Sequence, residues 1–154
     1  MTEAKTLDYS NLAEDILEQG AIVRLSLAGG SMFPLFRTGD SIFVKSVKPS
    51  EFHIGDIIVY RAGKKMIFHR LIKKYILQGK MILFTKGDFF TELDYPVSVK
   101  DVLGKAIGVE RNGKKVNLEN YFIRLANLFL AKISPFSKWF NPIPLLSNIR
   151  RRWI

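Results

Sequence analysis

The spacing of apolar residues changes twice along the chain. Leu12, Ile16 and Leu17 fall at helical intervals behind Ser10 or Asn11, either of which can cap a helix, and Gly20 supplies a stop. A short amphipathic helix is therefore expected over residues 10–19. From Ala21 the period drops to two, because Val23, Leu25 and Leu27 alternate with Arg24 and Ser26 as in a half-buried strand. Beyond a glycine-rich loop come "SIFVKSV", "DIIVY", "MIFHRLI", "YILQGKMILFT" and "VLGKAIGVERNGKKVNL", short β-branched or aromatic runs divided by turn residues. "QGK" and "RNGKK" read as hairpin turns, and Asn112-Gly113 is the stronger signal because both residues tolerate the positive φ of a tight turn. After Glu119 helical spacing returns with Phe122, Leu125, Leu128, Phe129 and Ile133, while Arg124, Asn127 and Lys132 take other positions.

This pattern divides the chain into an N-terminal helical segment (1–20), a mainly β domain with mostly antiparallel neighbours (21–118) and a C-terminal segment (119–154). At 154 residues the chain is the size of one domain with appendages and leaves no room for a separate effector domain. The N-terminus lacks the basic start and apolar run of a secretory signal, and no stretch of eighteen apolar residues suggests a spanning helix. A net charge of +10 predicts attraction to an anionic surface without choosing among nucleic acid, lipid headgroups and acidic protein. The C-terminal segment narrows that choice. Its "SPFSKWFNPIPLLSNIRRRWI" mixes aromatic residues with cations, as in a segment lying in an anionic membrane interface; the competing reading is a helix that packs on the β domain or on a partner.

Cysteine is absent, which excludes disulfides, thiol nucleophiles and cysteine-based metal sites, and with only two histidines a histidine-rich metal centre is not expected. No phosphate-binding glycine loop or aromatic-basic nucleic-acid motif occurs, so no nucleic-acid partner is expected.

Chemistry concentrates in three places. In "AGGSMFPLFRTGD" two glycines precede Ser31, giving the backbone the freedom to bring N–H groups near a bound carbonyl, as an oxyanion hole requires. Ser31 is a candidate nucleophile, and the same residues also suit a plain turn that the serine caps. His69, in "MIFHRLI", shares a strand face with Ile67 and Leu71; it can be a hydrogen-bonded core residue or a base whose unperturbed pKa of about 6.5 lets it accept a serine proton near neutral pH. His53 lies in a turn-like stretch and is expected at the solvated surface. In "TKGDFFTELDYP" Asp88 and Asp94 flank two phenylalanines, so either can be a shielded carboxylate that orients a histidine or an ordinary turn residue. The order Ser, His, Asp is compatible with nucleophile, base and orienter gathered by a β scaffold.

Together these boxes resemble the signal peptidase I family, in the group that includes the LexA-type self-cleaving proteases. "GGSMFPLFRTGD" resembles its Gly-x-Ser-Met-x-Pro box with the following Gly-Asp, "HIGDIIVY" its second Gly-Asp strand, "IFHRLI" the base-bearing strand, and "TKGDFFTELD" the Lys-Gly-Asp box with a second aspartate six residues on. "VLGKAIGV" resembles the closing strand, and the boxes run in order over residues 21–110. The resemblance implies the coiled β-sheets of that fold. It also implies Ser31 as nucleophile, His69 as general base, Asp94 as its partner with Asp88 in support, and backbone donors at Gly30 and Ser31 for the oxyanion. Most bacterial members carry lysine where His69 stands; histidine followed by arginine resembles the endoplasmic-reticulum and archaeal type. The family further implies a leader or precursor peptide as substrate, small side chains before the cut, and neither a metal nor an organic cofactor.

Three departures stand out. Gly29 replaces the hydroxyl residue that often donates to the oxyanion, Phe89 and Phe90 replace asparagines, and the family's N-terminal anchor is missing. The expectation is thus a serine endopeptidase held peripherally at a membrane, a soluble cytoplasmic relative being the alternative. A LexA-like self-processing regulator and a non-catalytic basic scaffold of the same fold are the competing functions.

Overall fold

A computed structural model of the chain describes residues 11–133, so Ser10 and the aromatic and cationic sequence after Ile133 lie outside the described residues. Helix α1 covers residues 11–18 and stops where the sequence suggests. Gly20 takes φ +80°, its N–H donates to the Leu17 carbonyl at 2.9 Å and that of Ala21 donates to Ile16 at 3.3 Å, which together satisfy the last carbonyls of the helix. Leu17 is buried in the core, and Arg61 pairs with Glu14 to tie α1 to the sheet.

Eight strands follow: β1 (Ile22–Ser26), β2 (Ser41–Lys45), β3 (Ile57–Ala62), β4 (Lys65–Leu77), β5 (Lys80–Lys86), β6 (Val97–Ser98), β7 (Val102–Arg111) and β8 (Lys114–Asn117). Helix α2 spans Tyr121–Ile133. The strands form one sheet in the order β1-β2-β7-β3-β4-β5-β6, with β8 also paired to β7 and every pairing antiparallel. The fold is mainly β, with the antiparallel order that alternation along the chain suggests. Both hairpin turns fall where turn chemistry places them, with φ +49° and +74° at Gln78 and Gly79 and +50° and +75° at Asn112 and Gly113.

The sheet carries apolar side chains on both faces. Ile57 and Val59 of β3 enter one core with Leu27, Met32, Phe36 and Ile42, while Ile58 and Tyr60 enter a second with Phe52, Leu71 and Leu83. Residues that alternate along β3 thus belong to different cores, which is why "DIIVY" reads as a continuous apolar run. Strand β4 runs unbroken through what reads as two separate stretches, because a register shift between Leu71 and Lys73 lets it change neighbours without ending.

Candidate active site

The loop carrying Ser31 leaves β1 and returns to β2 through a closed neck. There the Leu27 N–H donates to the Asp40 carbonyl at 2.8 Å and the Gly39 N–H donates back to Leu27 at 3.0 Å. Asp40 is almost wholly buried; it accepts the Arg37 N–H at 2.8 Å and a guanidinium fork from Arg111 at 2.8 and 2.6 Å. The Arg111 hydrogen bond holds the Asp40 carboxyl below the usual carboxylate range, against a smaller opposing effect of burial. Met32 and Phe36 sink into the first core and leave Ser31 half-buried at the loop's inner edge. The sequence stages the serine in this way: two apolar anchors and an ion pair fix the part of the loop that follows it.

His69 points to the other face, toward the second core, beside Tyr60 and Phe90, whose rings approach edge to face at 6.3 and 6.1 Å. Its Nδ1 lies 2.5 Å from Asp94 Oδ2. An ionised carboxylate only accepts, so with Asp94 ionised and the imidazole neutral the proton of this contact sits on Nδ1 and Nε2 is the acceptor. Asp94 is itself held, with Thr85 Oγ1 donating at 2.8 Å and Tyr60 Oη at 3.4 Å to the same oxygen, and its N–H donating to the Thr85 carbonyl at 2.8 Å.

The two halves meet at Gly87. A β-carbon there would lie 2.7 Å from the Ser31 carbonyl oxygen, 2.8 Å from a ring carbon of Phe90 and 3.0 Å from His69 Nε2. The Ser31 main-chain carbonyl and His69 Nε2 therefore flank one point where a β-carbon would collide with both. The Phe89 N–H donates to that Ser31 carbonyl at 2.9 Å and its ring packs edge to face on Phe33 at 6.4 Å, so the loop after β5 is stitched to the serine loop. Phe89 and Phe90 thus wall the site.

Asp88 sits elsewhere. Arg70 Nε and Nη2 donate to its two oxygens at 2.8 and 2.6 Å, and Arg70 Nη1 donates to the Gly55 carbonyl at 3.0 Å and to Asn127 Oδ1 of α2 at 2.9 Å. Arg70 is fully buried, and helix α2 lies so close to Gly55 (φ +96°) that a β-carbon there would meet the Asn127 backbone at 2.8 Å. Of the two aspartates singled out in the sequence, Asp94 is the one on His69, and Asp88 is held by Arg70.

Single-sequence reasoning missed Tyr60, Thr85, Lys86, Arg70 and Asn127. Lys86 is buried; burial holds its ammonium pKa below the usual range, with the carboxylates of Asp88 and Asp94 opposing that only in part. Only the "HR" pair and the "TK" before Gly-Asp hinted at them. His53 is exposed and away from these contacts. Among the described residues no group of three or more His, Cys, Asp and Glu side chains could hold a metal ion.

Comparison with known proteins places this geometry in context. A model of the peptidase S24-like family matches residues 1–89. The chain belongs to that family. It is similar to the signal peptidase complex catalytic subunit SEC11 of Candida dubliniensis, 39% identical over 61 residues that cover 38% of this chain and 36% of that protein. It is also similar to the sec11 subunit of Sclerotinia sclerotiorum, 37% identical over 91 residues covering 51% and 52%, and to that of Pyricularia oryzae, 33% identical over 90 residues with the same coverage. The chain spans about half, or less, of the length of these curated relatives. A peptidase family is therefore shown. Among the described residues no helix is long and apolar enough to cross a membrane.

Proposed function

We propose that this S24-like peptidase is a serine endopeptidase that cuts a leader or precursor peptide. The observation that carries the reading is His69, which donates through Nδ1 to a carboxylate while its Nε2 faces the point at Gly87 shared with Ser31. In this mechanism Ser31 Oγ attacks the scissile carbonyl and His69 Nε2 takes the hydroxyl proton, then returns it to the leaving amine. Asp94 keeps the imidazole in the Nδ1-protonated form and stabilises the imidazolium that forms. Backbone N–H groups at Gly30 and Ser31 hold the oxyanion, and Asp88 acts indirectly by fixing Arg70 beneath the site. Water then attacks the acyl-serine with His69 again as base, and the free Ser31 hydroxyl is restored. Histidine suits this role without the strong desolvation a lysine base needs.

Residues 21–118 are the peptidase domain in this reading, and the substrate lies extended against a strand edge. The similarity to SEC11 subunits supports a substrate that resembles a signal peptide, with a small side chain before the cut. A serine-directed covalent probe tests it. Labelling of the wild type and not of Ser31→Ala, together with precursor cleavage lost in the same variant, is the expected result. Absence of labelling in both would favour the non-catalytic scaffold, for which Gly29 in place of a hydroxyl donor is the observation.

A further inference from the structure

We propose that α2 docks the protein onto an anionic lipid surface through its outward apolar face. Amphipathic helices normally bury the apolar stripe and show polar residues to solvent, and α2 does the opposite. Phe122, Leu125, Phe129 and Ile133 follow one another at helical spacing along one side and remain 76%, 53%, 62% and 42% exposed, with Tyr121 at 72% beside them. The buried side is carried by Asn127 and Ala131.

This inversion is possible because α2 is not held to the sheet by its apolar stripe. Its attachment is the close backbone approach at Gly55, the Asn127 hydrogen bond to Arg70, the burial of the small Ala131, and Ile123, which lies off the stripe and packs against the first core. The stripe of large side chains is therefore left for something outside the fold, and an exposed apolar stripe of this kind marks an interaction surface.

Charge identifies the occupant. Residues 121–154 contain six cations, Arg124, Lys132, Lys138 and Arg150, Arg151 and Arg152, and no aspartate or glutamate. A two-fold contact between copies of this chain through this helix would set the cationic charge of α2, which holds no acidic residue, against itself, since the same patch meets on both sides. Negative headgroups neutralise it. On the helix itself Lys132 flanks the apolar stripe beside Leu125, where its stem lies on apolar surface and its charge reaches the phosphates. Burying phenylalanine at the acyl boundary while cations meet headgroups combines two favourable contributions in one surface. The proposal goes beyond the peptidase reading and does not depend on it. If both hold, the Asn127–Arg70 contact sets the site at a fixed attitude to the membrane.

The test is flotation of the full chain with phosphatidylcholine vesicles, with and without phosphatidylglycerol. Wild type is expected to float with the phosphatidylglycerol vesicles and to release as salt rises. Phe122→Ser combined with Phe129→Ser should lower the partition constant about tenfold or more, with circular dichroism and thermal unfolding unchanged because both side chains face away from the sheet. Ser31→Ala should float like wild type, which separates lipid docking from peptide cleavage. Equal flotation of the double variant, no flotation of wild type, or a wild-type dimer that the double variant dissociates would each overturn the proposal, the last by assigning the face to a second copy.

Discussion

His69 and Arg70 are consecutive on β4, so the pleat sends them to opposite faces, and each meets one aspartate from the loop that follows β5. What they do with that partner differs. Arg70 is wholly buried and its fork is engaged from Nε through both terminal nitrogens by Asp88, the Gly55 carbonyl and Asn127. His69 uses one nitrogen on Asp94 and turns the other toward Gly87 and Ser31. A saturated group makes a frame, and a group with one nitrogen to spare can do chemistry. One strand supplies both by alternation alone.

The contrast is broken most severely at the histidine. His69→Ala should lower kcat/KM for precursor cleavage by about 10²–10⁴-fold with little change in the denaturation midpoint, and Asp94→Asn should act in the same direction. Full cleavage by His69→Ala would end its assignment as base. Arg70→Ala should show the converse, a stability loss of about 3–5 kcal/mol in urea titration, because Asp88 and Asn127 lose a buried partner. Arg70→Lys should recover little, since a single ammonium cannot fill a planar fork. Unchanged stability in Arg70→Ala would erase the distinction between frame and chemistry.

Smaller effects sharpen it. Gly87→Ala pushes a methyl against the Ser31 carbonyl and His69 Nε2, so it should cost about 1–3 kcal/mol and slow cleavage together, checked by paired unfolding and kinetics. Asp40 and Arg111 repeat the carboxylate-guanidinium fork with the arginine side open to solvent, which separates geometry from burial. The Asp40 pKa is lowered in the folded state, mainly by the Arg111 hydrogen bond. Its stabilisation is therefore present above the ordinary value of 3.8 and is lost as pH falls through that value toward the lower folded one. Asp40→Asn should be less stable than wild type at neutral pH, and the two urea midpoints should converge in acid. A gap that persists at low pH would assign the role of Asp40 to shape rather than charge.

Much of the architecture was legible because it is local. Gly20 stops α1, and Gly79 and Asn112-Gly113 turn hairpins, because readiness for positive φ is a property of glycine and asparagine themselves. The order of Ser31, His69 and Asp94 was legible only through the ordered boxes. Long-range polar pairing was not. Asn127 stands 57 residues from Arg70, within a helix whose apolar spacing left open a membrane interface or packing on the β domain, and nothing periodic marks it as the anchor. The two-residue strand β6 is too short to carry a pattern, and the register shift in β4 leaves no composition signature.

Gly29 holds φ +93°, with nothing within 4 Å of where a β-carbon would project. Space is ample there and the backbone is the obstacle. A serine or threonine at this position could not keep the loop's left-handed bend without strain, so a hydroxyl introduced here by a single substitution carries a backbone cost of about 1–3 kcal/mol. For an evolving lineage, or an engineer seeking faster turnover, the accessible route is exchange of the whole Ala28–Asp40 loop, carried with its Arg111 clamp.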